Sequence, residues 1–221
     1  MNQQDTKNWG KLVATVLNSV PPATIDAICI FNRNDLQLEL LDRAAALYFE
    51  MLPFQSQIVI NGLERYEAID GSWGCPEWTR ILREHGVSPE HLLAIKTAIH
   101  SGDEAEKFVT LCREHEWRNI AVMAPPYYLP RCFLHMLGVS VQQGVELKLH
   151  CLTVPNIKWE EYATKHAVRG GIVVKGMRFD HLDDELDRIV SYRARYEKHE
   201  AGISAIASIA EGVDYFRKRL M

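Results

Sequence analysis

The segment N-I-A-V-M-A-P-P-Y-Y-L-P-R-C-F, residues 119–133, changes period halfway along. Asn119 to Ala124 is a short apolar run that stops at Pro125 and Pro126, which fix their own φ and lack a donor for further pairing. From Leu129 to Leu137 the apolar residues fall at helical spacing, with Pro130 in the first turn, where a missing N–H costs nothing. A strand without polar alternate positions is buried on both faces, as in a parallel sheet, and a helix that follows it directly makes half of a βαβ unit.

The same alternation runs outward in both directions. Residues 8–19 read as an N-terminal helix ending before Pro21-Pro22, and Ile25 to Phe31 as a first strand. A helix over Leu36 to Met51 closes at Pro53, and Gln57 to Asn61 is the second strand. Cys75-Pro76-Glu77 opens a helix that Gly86 ends, His91 to Ile95 is a third strand, and Ser101 to His115 is a helix. After the opening segment, Val145 to Val154 gives a fifth strand.

Strands alternating with helices of about a dozen residues specify α/β architecture, a three-layer Rossmann-like domain with a mainly parallel sheet of about five strands. This domain spans residues 1–156 with its N-terminal helix. Residues 157–221 read as a mostly helical extension packed on it, with helices over 157–168 and 180–220 around Gly170-Gly171 and Ile172 to Val174. The extension serves as a lid or as a homo-oligomer surface.

Composition narrows the function classes. The 221 residues are 47% hydrophobic and 24% charged, as in an ordinary globular protein, and the net charge of -4 argues against general nucleic-acid binding. Arg217-Lys218-Arg219 reads as a solvated helix end that complements the dipole. Cys29, Cys75, Cys112, Cys132 and Cys151 show no C-x-x-C spacing, and the opening residues carry no signal-like apolar stretch. No run approaches a membrane span, so a cytoplasmic protein with no membrane partner is expected.

Ligands of such folds bind outside the carboxyl ends of the strands. The places to inspect are Phe31-Asn32-Arg33, Asn61-Gly62-Leu63-Glu64, Lys96 to Glu104, and Ala124 to Arg131. Ser101-Gly102-Asp103-Glu104 matches the S-x-x-E capping box, a structural role. Glu77 suits the first turn of its helix, and Asn61-Gly62 is either a tight turn or a place where a ligand nears the backbone. Arg131 is unfavourable to the helix dipole in a first turn. It therefore either holds an anion beside free helix N–H groups or pairs with an acid such as Glu64 or Glu104. There is no G-x-G-x-x-G, Walker A loop or G-x-S-x-G elbow, and Cys132 with His135 makes no metal site.

In order, these features resemble the YdcF/SanA-like family of bacterial Rossmann-like proteins, a domain of unknown function. Asp26 to Asn32 is similar to the family's D-A-I-V-V-L-G strand, and Arg43 to Leu47 to its R-x-x-x-A pattern. Asn61-Gly62 keeps half of its S-G-G. Pro76-Glu77-Trp78 and Gly86 to Glu90 resemble its S-E-A and G-V-P, and His100 to Ala105 its S-x-N-T-x-E-N-A. Met123 to Cys132 is similar to V-T-S-x-x-H-x-x-R-A.

The resemblance implies a small anionic or nucleotide-like ligand, S-adenosylmethionine among the possible cofactors, and a site of Asn32, Asn61, Gly62, Glu77, Ser101, Glu104, Tyr128 and Arg131. Arg131 would hold the anion, Ser101 and Tyr128 would donate hydrogen bonds, and Glu77 and Glu104 are the candidate acid and base. Asn32 stands for the family's glycine, Ser101 for its threonine, Glu104 for its asparagine and Tyr128 for its histidine. Tyrosine, with an ordinary pKa near 10, is a poor proton acceptor at neutral pH. The alternative is a non-catalytic interaction or oligomerisation protein whose pocket has degenerated.

Overall fold

In the structure, a computed structural model, residues 3–31, 35–51, 56–64, 73–161, 167–169, 172–174 and 176–219 are described. Strand β1 (Ala27–Ile30) is the middle of five parallel strands. β2 (Gln57–Asn61) and β3 (Leu92–Ile95) extend the sheet on one side, β4 (Asn119–Met123) and β5 (Lys148–Leu152) on the other, in the order β3-β2-β1-β4-β5. Cys29 faces Val59 in one neighbour and Val122 in the other.

Alternation of side chains divides the core in two. Ala27, Cys29 and Phe31 point with Ile120 and Val122 into one apolar layer, while Ile28 and Ile30 point with Ala121 and Met123 into the other. The first layer is covered by α1 (Gln3–Leu17), α4 (Ser101–Glu114) and α5 (Leu129–Gln142). The second is covered by α2 (Gln37–Glu50) and α3 (Cys75–Glu84). The α/β class and the parallel five-stranded sheet expected from the sequence are what the chain forms.

The strand starts are pinned by one carboxylate. Asp26 accepts the N–H groups of Arg118 at 2.7 Å and Asn119 at 2.8 Å, fixing the entry of β4 beside that of β1. Gly86, at φ +88°, ends α3 in the left-handed region that favours glycine.

The C-terminal third differs from the sequence reading in two ways. Residues 157–161 form turns, and Ala167–Arg169 is a strand, β6, paired antiparallel with β7 (Ile172–Val174), where the sequence suggested a helix over 157–168. Ala167-Val168-Arg169 and the β-branched run Ile172-Val173-Val174, set two residues apart by Gly170-Gly171, have the spacing of a tight hairpin. The helix expected over 180–220 is two helices, α6 (Arg178–Glu197) and α7 (Ile209–Arg219). Between them His199 (φ +54°) and Gly202 (φ +75°) turn the chain, and Ser204 to Ala207 run buried along α5. Among the described residues no helix is long and apolar enough to cross a membrane.

α7 packs on α1 and closes the outer edge of β5. The Leu149 N–H donates to the Tyr215 hydroxyl at 2.6 Å, Tyr215 donates to the Leu147 carbonyl at 3.0 Å, and Arg219 donates to the Leu149 carbonyl. These side chains take up backbone groups that an edge strand otherwise leaves open.

Gly138 on α5 shows how tightly the returning segment is laid down. A Cβ there would stand 2.6 Å from the Ala207 nitrogen and 2.7 Å from the Ile206 backbone. Gly138→Ala is expected to lower stability by about 1–3 kcal/mol, read as a fall in the urea midpoint at unchanged m-value.

Candidate functional site

Strand order reverses direction between β1 and β4, which makes their carboxyl ends the switch point where ligands of doubly wound sheets enter. β1 leaves through Phe31 to Asp35, with Asn32, one of the candidate ligand residues, outside the described residues. β4 leaves through Ala124 to Tyr128 into α5. Helix α6 lies across both exits.

Its buried face carries Arg178, His181, Glu185 and Ile189, spaced three to four residues apart on one stripe. Arg178 donates from Nε to Asp35 Oδ2 at 2.9 Å and from Nη2 to Oδ1 at 3.2 Å, and also reaches Glu161 at 3.1 Å. The His181 ring lies 5.3 Å from that of Tyr127. Glu185 receives Arg131, with Nε 2.5 Å from Oε2 and Nη2 3.3 Å from Oε1. Arg188 Nη1 donates to the same Oε1 at 3.3 Å.

Arg131 is therefore buried and ion-paired, and its partner is Glu185 rather than the Glu64 or Glu104 considered from the sequence. Burial opposes its charge, but Glu185, with Tyr128 and Tyr192 beside it, more than offsets this and raises the pKa. The guanidinium also sits 4.8 Å over the Tyr128 ring and 5.6 Å over the Tyr192 ring. Tyr128 is buried at the N-cap position of α5, edge-on to Phe31.

A second group of candidates ties β2 to the loop after β3. Asn61 Nδ2 donates to the Ala98 carbonyl at 2.8 Å and to Glu104 Oε1 at 3.0 Å. Its Oδ1 accepts from the N–H groups of Leu63 at 3.0 Å and Ala98 at 3.1 Å. One amide thus uses both donors and both lone pairs. Glu104, drawn inward to Asn61, is buried. The capping box read at Ser101 is shifted by one residue: His100 is the N-cap, its Nδ1 accepting from the Asp103 N–H at 3.1 Å, and Ser101 is the first helical residue, also buried.

The third group is open to solvent. A cleft of about 680 Å³ lies at the carboxyl ends of β2 and β3, lined by Gly62, Cys75, Pro76, Thr79, Lys96 and Thr97 among others. Gly62 is required there, since a Cβ would stand 2.2 Å from the Ile95 carbonyl oxygen. Glu77, next to Pro76 in the first turn of α3, stands outside the lining of the cleft and accepts from Arg80 Nε at 3.0 Å and Nη2 at 2.6 Å. That hydrogen bonding holds its carboxyl below the ordinary range. Among the described residues no three His, Cys, Asp or Glu side chains are grouped to hold a metal ion.

Sequence reasoning passed over Asp35, Arg178, His181 and Glu185, and weighed His135 only as a metal ligand. The i, i+3, i+7 spacing of Arg178, His181 and Glu185 was the available signal, a polar stripe where an amphipathic helix places apolar groups. His135 is buried on α5 one turn from Arg131, with Nδ1 3.1 Å from the Ala205 carbonyl. Nδ1 must carry the hydrogen in that contact, which leaves Nε2 as an acceptor, and Nε2 is buried with no hydrogen-bond partner among the described residues. Burial, with the Arg131 charge adding to it, pushes the imidazole down to about 3.

No protein-family model matches the chain, and no curated protein matches it. The likeness to YdcF/SanA-like proteins rests on the sequence motifs.

Two outcomes are expected. Asn61→Ala leaves the amide and carbonyl of Ala98 and the amide of Leu63 without their partner, at a cost of about 1–3 kcal/mol for each buried group, read by chemical denaturation. His135 acts on the pH dependence. Unfolded, the ring takes up a proton below its ordinary 6.5, whereas folded it does so only near 3. Protons therefore favour the unfolded chain in that window, so stability is full above pH 6.5 and falls towards pH 3. His135→Leu is expected to reduce the slope of stability against pH there by up to about 1.4 kcal/mol per pH unit.

Proposed function

We propose that this chain is a small-molecule-binding protein of the YdcF/SanA-like kind, taking an anionic, nucleotide-like ligand at the carboxyl edge of its sheet. The observation that carries this reading is the open cleft of about 680 Å³ beside Gly62, a size within the range of small-ligand sites. Backbone forms its floor, where Gly62 meets Ile95 without an intervening side chain. The start of α3 forms a wall, with Gly74 at the N-cap and Pro76 in the first turn, and a helix N-terminus favours negative charge. Lys96 supplies a mobile cation, and the Thr79 and Thr97 hydroxyls supply hydrogen bonds.

In this reading Glu77 meets a ligand hydroxyl, while Asn61 and Glu104 hold the cleft floor from beneath. Nucleotide-type ligands such as S-adenosylmethionine are the class the family resemblance implies. The other reading, an interaction protein, is favoured by two exposed apolar side chains on α6, Phe179 and Val190, about three turns apart on one face.

Isothermal titration of the full chain with adenosine 5′-monophosphate and S-adenosylmethionine tests the binding reading. One of the two is expected to bind, and Lys96→Glu to weaken adenosine 5′-monophosphate roughly tenfold or more by placing like charge against its phosphate. Absence of binding by both, or binding that Lys96→Glu and Thr79→Trp leave unchanged, overturns it. A dimer by light scattering that Val190→Glu dissociates would favour the interaction reading instead.

A further inference from the structure

The polar contacts under α6 are arranged as a binding site that the chain itself fills. Tyr128, Arg131 and His135 lie on one face of α5, at spacings of three and four residues. Against His135 packs the first turn of α4, where Gly102 lets the helix approach. A Cβ at Gly102 would stand 3.3 Å from His135 Cε1 and 2.7 Å from Ser204 Cβ. The site therefore combines a buried guanidinium and a buried imidazole edge, and each has a chemical preference. Arg131 selects an anion. His135 Nε2, a buried acceptor without a donor, selects a hydroxyl.

At present the anion is Glu185. Its Oε1 accepts from Nη2 of Arg131 on one side and Nη1 of Arg188 on the other, and Arg131 Nε stands at ion-pair distance from Oε2. The helix that delivers it is seated over the switch point by Arg178 on Asp35, His181 on Tyr127 and Glu185 on Arg131, with Ile189 buried and Leu182, Leu186, Tyr192 and Tyr196 packed against the core beside them. A buried ion pair contributes little net stability against the desolvation of its two charges, whereas stranding one partner is costly. An incoming anion that takes over Arg131 avoids that cost, and Glu185 regains its hydration once α6 lifts.

We propose that the α5 face beneath α6 is a closed site for a small anion bearing a neighbouring hydroxyl, such as a sugar phosphate or hydroxy acid, and that Glu185 occupies its anion position as an internal competitor. Arg131 holds the anionic group. His135 Nε2 accepts the hydroxyl hydrogen one helical turn away, a span of about 5–6 Å that a two- or three-carbon unit bridges. The site is separate from the cleft at Gly62 and does not depend on it.

The probes are glycerol 3-phosphate and its deoxygenated counterpart n-propyl phosphate, titrated calorimetrically into the full chain. Glu185→Gln is expected to bind glycerol 3-phosphate about tenfold or more tightly than the unmodified chain, because the internal competitor loses its charge. Arg178→Gln, which loosens α6 two turns from the anion position, is expected to move affinity in the same direction. Adding His135→Leu to either variant should abolish the preference for glycerol 3-phosphate over n-propyl phosphate while leaving binding of the latter.

Hydrogen exchange gives an independent reading on the unmodified chain: saturating glycerol 3-phosphate should speed exchange in α6 and leave β1 and β4 protected. Unchanged or slower exchange in α6, or no gain of affinity in whichever of the two variants keeps its circular dichroism, overturns the proposal. Lys96→Glu removes the cation of the cleft, so a glycerol 3-phosphate affinity that falls with it belongs to the cleft and overturns the assignment to this site.

Discussion

The whole molecule is organised by the burial of one strand on both faces. β1 has no solvent-exposed residue, and its odd and even side chains feed two separate apolar layers. A strand in that position needs a parallel neighbour on each side and a helical layer above and below. Each fully buried aliphatic side chain contributes about 1.5–3 kcal/mol relative to exposure, so neither layer can be dispensed with. Asp26 then fixes the level at which β1 and β4 begin, and hence the level at which both leave the sheet and present Asp35 and Tyr127 to α6.

That constraint also explains what could be read from the sequence. Two-sided burial writes itself as nearly continuous apolar runs, such as Ala27 to Phe31 and Ile120 to Ala124, the second closed by Pro125, so the strands and the helices after them were recognisable to within a few residues. The C-terminal third was harder for a physical reason. The inward side of α6 sets Arg178, His181 and Glu185 among Leu182, Leu186 and Ile189, so its apolar period is interrupted where it meets the sheet. The β6–β7 hairpin has strands of only three residues each, too short for alternation to declare itself.

The candidate site was legible as a place more than as a set of contacts. The carboxyl edge could be named because topology dictates it, and Asn61, Gly62, Ser101, Glu104, Tyr128 and Arg131 lie at or after the ends of β2, β3 and β4. Their partners could not be named. Arg131 meets a residue 54 positions away and Asn61 one 43 positions away, and no local spacing announces a pair at that separation. The structure divides those residues into a strut (Asn61 with Glu104), a covered polar face (Tyr128 with Arg131) and an open cleft that begins at Gly62.

The closure of β5 by Tyr215 has a consequence for the order of synthesis. β5 is complete about sixty residues before Tyr215 joins it, in a chain that emerges at roughly 5–20 residues per second. For several seconds, then, a nascent sheet would carry a fully formed outer strand with its amides and carbonyls unclaimed, the template on which chains add to one another. The last helix is thus as much a shield for the newly made protein as a part of the finished one, and ribosome-bound chains ending before it are the form most exposed to mispairing.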